Sequence, residues 1–215
     1  MKKVIKILGV NIIVLLIVSC SSVKVTDSWK DNEVVNLVDK KVLVLSKSKD
    51  DLTRKQFEID LVDKLEENNI NSVESFKLIP KVDVNDSLTK SEIDELKRKY
   101  IEKGIDVVIM TVLKDTQEFE TTTTTGGSNY YFSSYPVYYR RGFYRSYHTI
   151  YMDSSPSSYT TSKGKRFILE TIVYDLNEPE NEQLLSVITT KIENPETLGT
   201  TSKDFSKKVI KELIK

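Results

Sequence analysis

The sequence has 215 residues, with 32 basic and 32 acidic side chains, so its formal net charge is zero. This balance argues against nucleic acid as a partner, because nucleic-acid-binding proteins carry a basic surface. The single cysteine, Cys20, excludes an intramolecular disulfide. Together with the single histidine, His148, it also excludes zinc sites built mainly from these two residue types. The sequence has no glycine-rich phosphate-binding motif, and we expect neither a cofactor nor a metal site.

Residues 1–19 have the pattern of a secretory signal peptide. Three lysines lie within the first six residues, and an apolar run from Ile7 to Val18 follows. The run ends at Ser19, a small residue directly before Cys20, and this combination is typical of export signals. A cysteine in that place resembles the lipobox of bacterial lipoproteins. The resemblance implies cleavage before Cys20, diacylglycerol on its sulfur and acylation of the new amino group.

Two other interpretations of this segment fit less well. A transmembrane helix needs about 20 apolar residues, whereas the run here is shorter and contains Asn11. A buried helix with a free thiol does not fit the polar, serine-rich sequence that follows. Two or three acyl chains on Cys20 would give stable membrane attachment. Ser21 resembles the residue found there in Gram-negative outer-membrane lipoproteins, which implies an outer-membrane anchor facing the periplasm. Surface exposure stays open.

Residues 20–39 are predicted to form a lipidated tether, and residues 40–215 a single domain. The tether is polar, with Trp29 as its one large apolar side chain, which we expect to pack on the domain. The domain begins with the strand Lys41–Ser46. Its unbroken run of β-branched and leucine side chains is typical of a strand covered on both faces.

A helix and a second strand are predicted next. The helix runs from Leu52 to Asn68, because apolar residues recur every three to four positions. Asp50 or Asp51 is expected as its N-cap, and Asn69 takes the left-handed position after it. The short strand Asn71–Phe76 follows.

The second predicted helix has clear signals at both ends. Thr89 and Glu92 form a capping box, and Leu88 and Ile93 are placed as the hydrophobic staple around it. Gly104 is placed to end the helix in a left-handed conformation. These signals predict a helix of about 14 residues between two strands.

The remaining elements predict the fold class. Asp106–Leu113 reads as another doubly buried strand, and Arg166–Leu176 and Gln183–Ile192 read as an antiparallel hairpin, because their link is too short for a crossover. Thr201 or Ser202 is expected to cap a final helix. We predict an α/β fold with one mixed sheet of about five or six strands. Its order is β-α-β-α-β, then an antiparallel β-hairpin and a C-terminal helix, with the helices covering the sheet.

Residues 121–162 form a long Tyr/Thr/Ser-rich insertion in this order of elements. Eight of the eleven tyrosines lie between Tyr130 and Tyr151, and no acidic residue occurs from Thr121 to Met152. Tyrosine with serine, glycine and arginine is typical of adaptable binding surfaces, and arginine offers a fork for phosphate or carboxylate. The alternative is a low-complexity loop without a ligand. The predicted contact surface comprises Tyr130, Tyr131, Tyr135, Tyr138, Tyr139, Arg140, Arg141, Tyr144, Arg145 and Tyr147.

No catalytic residue is predicted. His148 has no nucleophile with an orienting acid beside it in the sequence, so it reads as a solvated side chain. The first helix carries several carboxylates with a lysine among them, which we interpret as a solvated face and not as an acid–base pair. These carboxylates are Glu58, Asp60, Asp63, Glu66 and Glu67.

Several features together resemble a family of uncharacterised bacterial lipoproteins. They are Cys20, Trp29–Asp31, Lys41–Ser46, Gly104–Ile109, the tyrosine-rich insertion and Val173–Leu176. The arrangement is also similar to the amino-terminal domain of the Tol-system protein TolB and to curli-secretion lipoproteins. This similarity implies a periplasmic protein–protein module, at the level of the fold.

The sequence therefore predicts a lipid-anchored envelope lipoprotein that binds or assembles and is not an enzyme. Its expected partners are the membrane, through Cys20, and an envelope protein, a glycan or an anionic lipid. One alternative is an envelope enzyme that acts on glycan or lipid through carboxylates brought together by folding. A further alternative is a structural spacer without a specific ligand.

Overall fold

A computed structural model of the chain describes residues 21–31, 37–78, 89–119 and 164–215. Six strands and four helices lie in these ranges. The strands are β1 (Val23–Lys30), β2 (Val42–Lys47), β3 (Ser72–Glu74), β4 (Val107–Phe119), β5 (Gly164–Asp175) and β6 (Leu184–Glu193). The helices are α1 (Asp51–Glu66), the single turn α2 (Ser75–Leu78), α3 (Lys90–Glu102) and α4 (Leu198–Leu213).

All six strands belong to one sheet in the order β1-β6-β5-β4-β2-β3. β2 pairs in parallel with β3 and with β4, whereas β4, β5, β6 and β1 pair in antiparallel fashion. A helix separates each pair of consecutive parallel strands, while a short link joins the hairpin β5–β6, as chain geometry requires. The predicted mixed α/β sheet is confirmed.

Helices α1 and α4 cover one face of the sheet. Their apolar side chains meet those of the strands in a continuous core, in which Phe57 and Phe205 pack with their ring centroids 5.1 Å apart. Val44 and Ile109 lie beneath them and are fully buried. Burying a side chain of this size contributes about 1.5–3 kcal/mol, so this layer provides much of the stability of the domain.

Helix α3 packs on the opposite face. Ile93 and Tyr100 are its buried residues and belong to a second apolar cluster with Leu45, Met110 and Ile172. Trp29 of β1 packs at the margin of this cluster, in line with its predicted packing role.

The predicted helix ends are confirmed where the structure describes them. Asp50 is the N-cap of α1 and accepts a hydrogen bond from the Thr53 N–H. The capping box of α3 has both of its reciprocal hydrogen bonds. Asn69 and Gly104 have φ angles of 61° and 71°, the left-handed conformation expected after a helix. Leu88, the predicted partner in the hydrophobic staple, lies outside the described residues.

Three boundaries differ from the predictions. Part of the predicted tether is the edge strand β1, whose Val23 is fully buried in the core. The predicted strand Asn71–Phe76 is shorter, because the chain turns into α2 at Ser75. The predicted caps of α4 are wrong. Thr197 is the N-cap, and Thr201 and Ser202 lie one turn inside the helix, buried against the rest of the domain.

The prediction of a wholly solvated acidic face on α1 is also wrong. Asp63, Glu66 and Glu67 are exposed, but Glu58 is fully buried and Asp60 nearly so. The reason is that α1 is covered on more sides than its apolar stripe: the end of β2 and the β3–α2 turn cover Glu58, and Ser202 of α4 covers Asp60. Each buried carboxylate has polar partners, as burial of a charge requires.

Candidate functional site

The predicted contact surface and Cys20 lie outside the described residues, but the structure defines where the insertion is attached. Phe119 at the end of β4 pairs with Gly164 at the start of β5, so 44 residues connect two neighbouring strands at one end of the sheet. The functional question is therefore which side chains lie at this end.

The α3-side face of the sheet changes from apolar to charged toward this end. One row across β2, β4, β5 and β6 consists of Leu45, Met110, Ile172 and Val187. The next row on the same face, two residues further along each strand, consists of Lys47, Val112, Glu170 and Thr189. Alternate residues of a strand point to the same face. The row with Lys47 and Glu170 therefore continues the apolar row on the same face of the sheet.

We call the polar part of this face the charged half-face. It comprises Lys47, Lys114, Asp115, Gln117, Arg166, Glu170, Lys191 and Glu193.

An ion pair between a buried carboxylate and a half-buried ammonium forms the inner part of the charged half-face. Glu170 is 2% exposed, and its carboxylate lies 3.2 Å from the ammonium of Lys114. Lys114 lies at a shift in the β4–β5 register, and such irregularities redirect side chains. Lys47 is 6% exposed, and burial lowers the pKa of its amine to about 8. An amine with this pKa is still mostly protonated at pH 7.

A hydrogen-bonded network forms the outer part, closer to the insertion. Arg166 donates through two nitrogens to one oxygen of Glu193, at 2.8 and 2.6 Å. It also donates to Gln117 at 3.2 Å, and Gln117 donates to Asp115 at 2.7 Å. Lys191 lies 3.2 Å from Glu193. Burial on its own raises the pKa of Glu193, but hydrogen bonds from Arg166 and Lys191 outweigh it, so the pKa lies below its ordinary value.

The charged half-face therefore holds four basic and three acidic groups, and the acids have polar partners. The pKa of Glu193 lies below its ordinary value, which makes this carboxylate a poor general acid, because that role requires a raised pKa. Guanidinium, ammonium and amide groups fixed on a rigid sheet are suited to hydrogen bonding with a ligand.

A second buried network positions the carboxyl end of β2, next to Lys47. The Glu58 carboxylate accepts hydrogen bonds from Arg54 Nε at 3.0 Å, the Ser75 hydroxyl at 2.7 Å, and the N–H groups of Ser46 and Phe76, both at 3.0 Å. Sequence reasoning missed this network. The available signal was the Arg54–Glu58 spacing of four residues beside the apolar stripe of α1.

Within the four described ranges, no three His, Cys, Asp or Glu side chains come together as a metal site. In the same ranges no helix has the length and apolar character needed to cross a membrane. The segment just after Cys20 in the sequence reaches the charged half-face. The Ser22 carbonyl accepts a 3.0 Å hydrogen bond from the Glu193 N–H, so Cys20 lies two residues from a contact with the charged half-face.

Comparison with known proteins gives likenesses of structure only. No protein-family model and no curated protein sequence matches the chain. A PelC dodecamer from Paraburkholderia phytofirmans is similar over 89% of this chain and 96% of its own, with 9% identity and a TM-score of 0.46. The lipoprotein GNA1162 from Neisseria meningitidis is similar over 81% and 97%, with 9% identity and a TM-score of 0.39.

A DUF4136 family protein from Bacteroides thetaiotaomicron is similar over 89% of this chain and 96% of its own, with 14% identity and a TM-score of 0.36. The structures that resemble this chain thus include a lipoprotein. These likenesses concern the fold. The more specific resemblance to the TolB amino-terminal domain and to curli-secretion lipoproteins stays a prediction.

Proposed function

We propose that this protein is an envelope lipoprotein, anchored to the outer membrane through Cys20, that faces the periplasm and acts as a non-enzymatic binding or assembly module. One observation carries the proposal. The charged half-face lies at the end of the sheet where the acid-free, tyrosine- and arginine-rich insertion leaves β4 and returns to β5. The charged groups of the sheet therefore lie at the end where the tyrosine- and arginine-rich sequence is attached to β4 and β5.

The chemistry at this end indicates the class of partner. The sequence from Thr121 to Met152 has no acidic residue and has three arginines, which favours an anionic or hydroxyl-rich ligand. An envelope protein with an acidic surface, a glycan and an anionic lipid all have this chemistry. Nucleic acid does not fit the balanced overall charge of the chain.

Lipid attachment is tested by mass spectrometry of the mature amino terminus. We expect a peptide that begins at Cys20 and carries acyl chains. Cys20→Ser should abolish palmitate incorporation and leave residues 1–19 attached, because the sulfur is the lipid acceptor. A Cys20→Ser protein that is still cleaved before residue 20 would contradict the lipoprotein assignment.

The binding surface is tested by photo-crosslinking in intact cells. A crosslinker at Glu118, an exposed side chain beside the insertion, should capture a partner. A crosslinker at Glu67, an exposed residue at the C-terminal end of α1, is the matched control. Deletion of residues 126–146 should abolish the Glu118 crosslink without changing the melting temperature. Equal crosslinking at both positions, or none at Glu118, would overturn the proposed site and leave the spacer alternative.

The enzyme alternative predicts two carboxylates that converge on a concave surface. In the charged half-face, Glu170 and Asp115 lie on neighbouring strands, and each has its own partner, Lys114 and Gln117 respectively. This arrangement gives no specific reason to prefer an enzyme over a binding module.

A further inference from the structure

A shallow groove between β1 and α4 is strongly basic. It is lined by Lys24 and Val25 of the edge strand, by Lys208, Lys211 and Glu212 of α4, and by Lys215. Four lysines thus face one glutamate. The glutamate is already engaged, because Glu212 lies 3.1 Å from the Lys215 ammonium and accepts a 3.0 Å hydrogen bond from Ser28.

The basic groove continues along the outer side of α4. Lys203, Lys207 and Lys211 are exposed and follow one another at intervals of four residues. Residues at this spacing lie on one side of a helix. They form a lysine stripe next to the groove, about 12 Å long at 1.5 Å per residue.

This concentration of positive charge is unusual for the composition of the chain. Without residues 1–19, the protein has 29 basic and 32 acidic residues. A chain with a net negative charge that gathers six lysines around one helix and one edge strand has a local field suited to an anionic surface.

The amino terminus brings this surface close to the proposed lipid anchor. Lys24 lies four residues after Cys20, and four extended residues span at most about 14 Å. Lys24 therefore stays within one to two Debye lengths of the bilayer at physiological salt. β1 is an edge strand, so the domain can lie with its β1–α4 edge on the membrane to which it is tethered.

We infer that the lysine surface, comprising Lys24, Lys203, Lys207, Lys208, Lys211 and Lys215, docks on anionic phospholipid head groups of the anchoring membrane and orients the domain there. This inference rests on the proposed attachment at Cys20. A lipid anchor combined with a basic surface is a recognised two-signal arrangement for membrane proteins. Each lysine near an anionic surface strengthens attraction by about fivefold.

A second copy of the chain that pairs one of its strands with β1 is a less suitable occupant of this edge. β1 has a register shift between Val25 and Asp27, and its exposed side chains are all polar. Bulges and charged residues on an edge strand oppose pairing with another strand. Head groups, in contrast, need no free backbone edge.

The test is lysine footprinting on the full-length protein as cells process it, reconstituted in vesicles. One set contains phosphatidylcholine with a quarter phosphatidylglycerol, and the other contains phosphatidylcholine alone, so neither lipid mixture offers a primary amine to the reagent. An amine-reactive reagent labels exposed lysines, and mass spectrometry measures each site. We expect labelling of the lysine surface to fall about threefold or more in the anionic vesicles and to recover in 0.5 M NaCl, because salt screens the attraction.

Lys55 and Lys99 serve as internal controls. Both are exposed on other helices and form ion pairs with Asp51 and Glu95, so their labelling should be the same in both vesicle types. Lys24→Gln/Lys211→Gln should restore labelling of the remaining lysines of the surface. Lys55→Gln/Lys99→Gln removes the same charge and should leave the protection intact.

The outcomes separate this inference from the proposed function. Acylated Cys20 with uniform lysine labelling in anionic vesicles would overturn the docking surface and leave the lipoprotein assignment standing. Unmodified Cys20 with selective protection of the lysine surface would support docking and contradict the anchor. Protection that persists in 0.5 M NaCl and in phosphatidylcholine, together with a dimeric mass, would overturn the inference in favour of a second copy on this edge.

Discussion

Removal of the Arg54 guanidinium should destabilise the domain severely. Arg54 is 2% exposed and Glu58 is fully buried, and their ion pair is 3.0 Å long. Arg54→Met keeps much of the side-chain volume but leaves the Glu58 carboxylate buried without its cation. Breaking a buried pair from one side costs about 3–5 kcal/mol. For a domain of this size, this loss corresponds to a fall of about 6–20 °C in melting temperature.

The measurement is urea unfolding of the purified protein followed by circular dichroism, together with a thermal melt. Lys55→Met, one position along the same helix, is the matched control. Its ion pair with Asp51 is exposed on both sides, and such pairs contribute about 0.3–0.5 kcal/mol. The two variants remove the same charge from α1 and differ in burial.

Arg54→Met/Glu58→Gln should recover part of the loss, because no unpaired buried charge remains. Recovery should be incomplete, because three donors remain around residue 58. The Phe76 N–H, which donates to the second oxygen of Glu58, would face the NH2 group of glutamine, which accepts no hydrogen bond. A loss below about 1 kcal/mol for Arg54→Met, or equal losses for Arg54→Met and Lys55→Met, would refute the reasoning. Either result would mean that the burial of the Arg54–Glu58 pair does not determine how much stability is lost when the cation is removed.

Three further predictions concern stability. Phe205→Ala should lower the free energy of unfolding by about 3–5 kcal/mol, because Phe205 is fully buried against Phe57. The measurement is urea unfolding. A loss well below this range, under about 1 kcal/mol, would show that the α1–α4 contact is not tightly packed. Gly104→Ala should destabilise the domain by about 1 kcal/mol, because the φ of Gly104 is +71°. Gly199→Ala, inside α4 with free space around it, should stabilise the domain by up to about 1 kcal/mol. Equal effects of the two substitutions in thermal melts would contradict the assigned backbone conformations. Burial lowers the pKa of Lys47 from 10.5 to about 8 in the folded protein. The unfolded chain therefore binds more protons between these two pKa values, and the free energy of unfolding should rise with pH across that window. Lys47→Met should abolish this pH-dependent gain, measured by urea unfolding at pH 8 and pH 10, and a variant with the same pH dependence as the unmodified protein would refute the prediction.

We propose different tasks for the charged half-face and the lysine surface, because their charges are arranged differently. The charged half-face has its acids paired on a rigid sheet, whereas the lysine surface has a clear excess of one sign. Paired groups favour specific recognition, and an unbalanced patch favours attraction to a charged surface. Residues that follow Cys20 closely in the sequence reach both surfaces, since Ser22 contacts Glu193 and Lys24 lines the groove.

Local features were predictable from the sequence because neighbouring residues determine them. The N-cap at Asp50, the capping box at Thr89 and Glu92, and the left-handed residues Asn69 and Gly104 depend on hydrogen bonds within about four positions. The doubly buried strands were predictable because a strand without polar residues needs cover on both faces. The hairpin followed from the length of its link.

Other features depended on contacts between distant parts of the chain. β1 has too few apolar residues to be recognised as a strand, and only its ladder with β6, more than 150 residues later, makes it one. Glu58 and Asp60 look solvated in the sequence, but α4 and the β3–α2 turn cover them. The start of α4 was misplaced because Thr201 and Ser202, good caps in isolation, are buried inside the helix.

The amino-acid sequence by itself determined the order of the strands and helices apart from β1 and α2, and the ends of α1 and α3. It also contains the pattern that predicts lipid attachment at Cys20. Each of these depends on interactions or patterns over a few neighbouring residues. Only the tertiary structure decided which charges are buried, which are gathered into the charged half-face, and which lysines form one surface. The physical reason is that burial and electrostatic fields depend on every element packed around a group, including residues far away in the sequence.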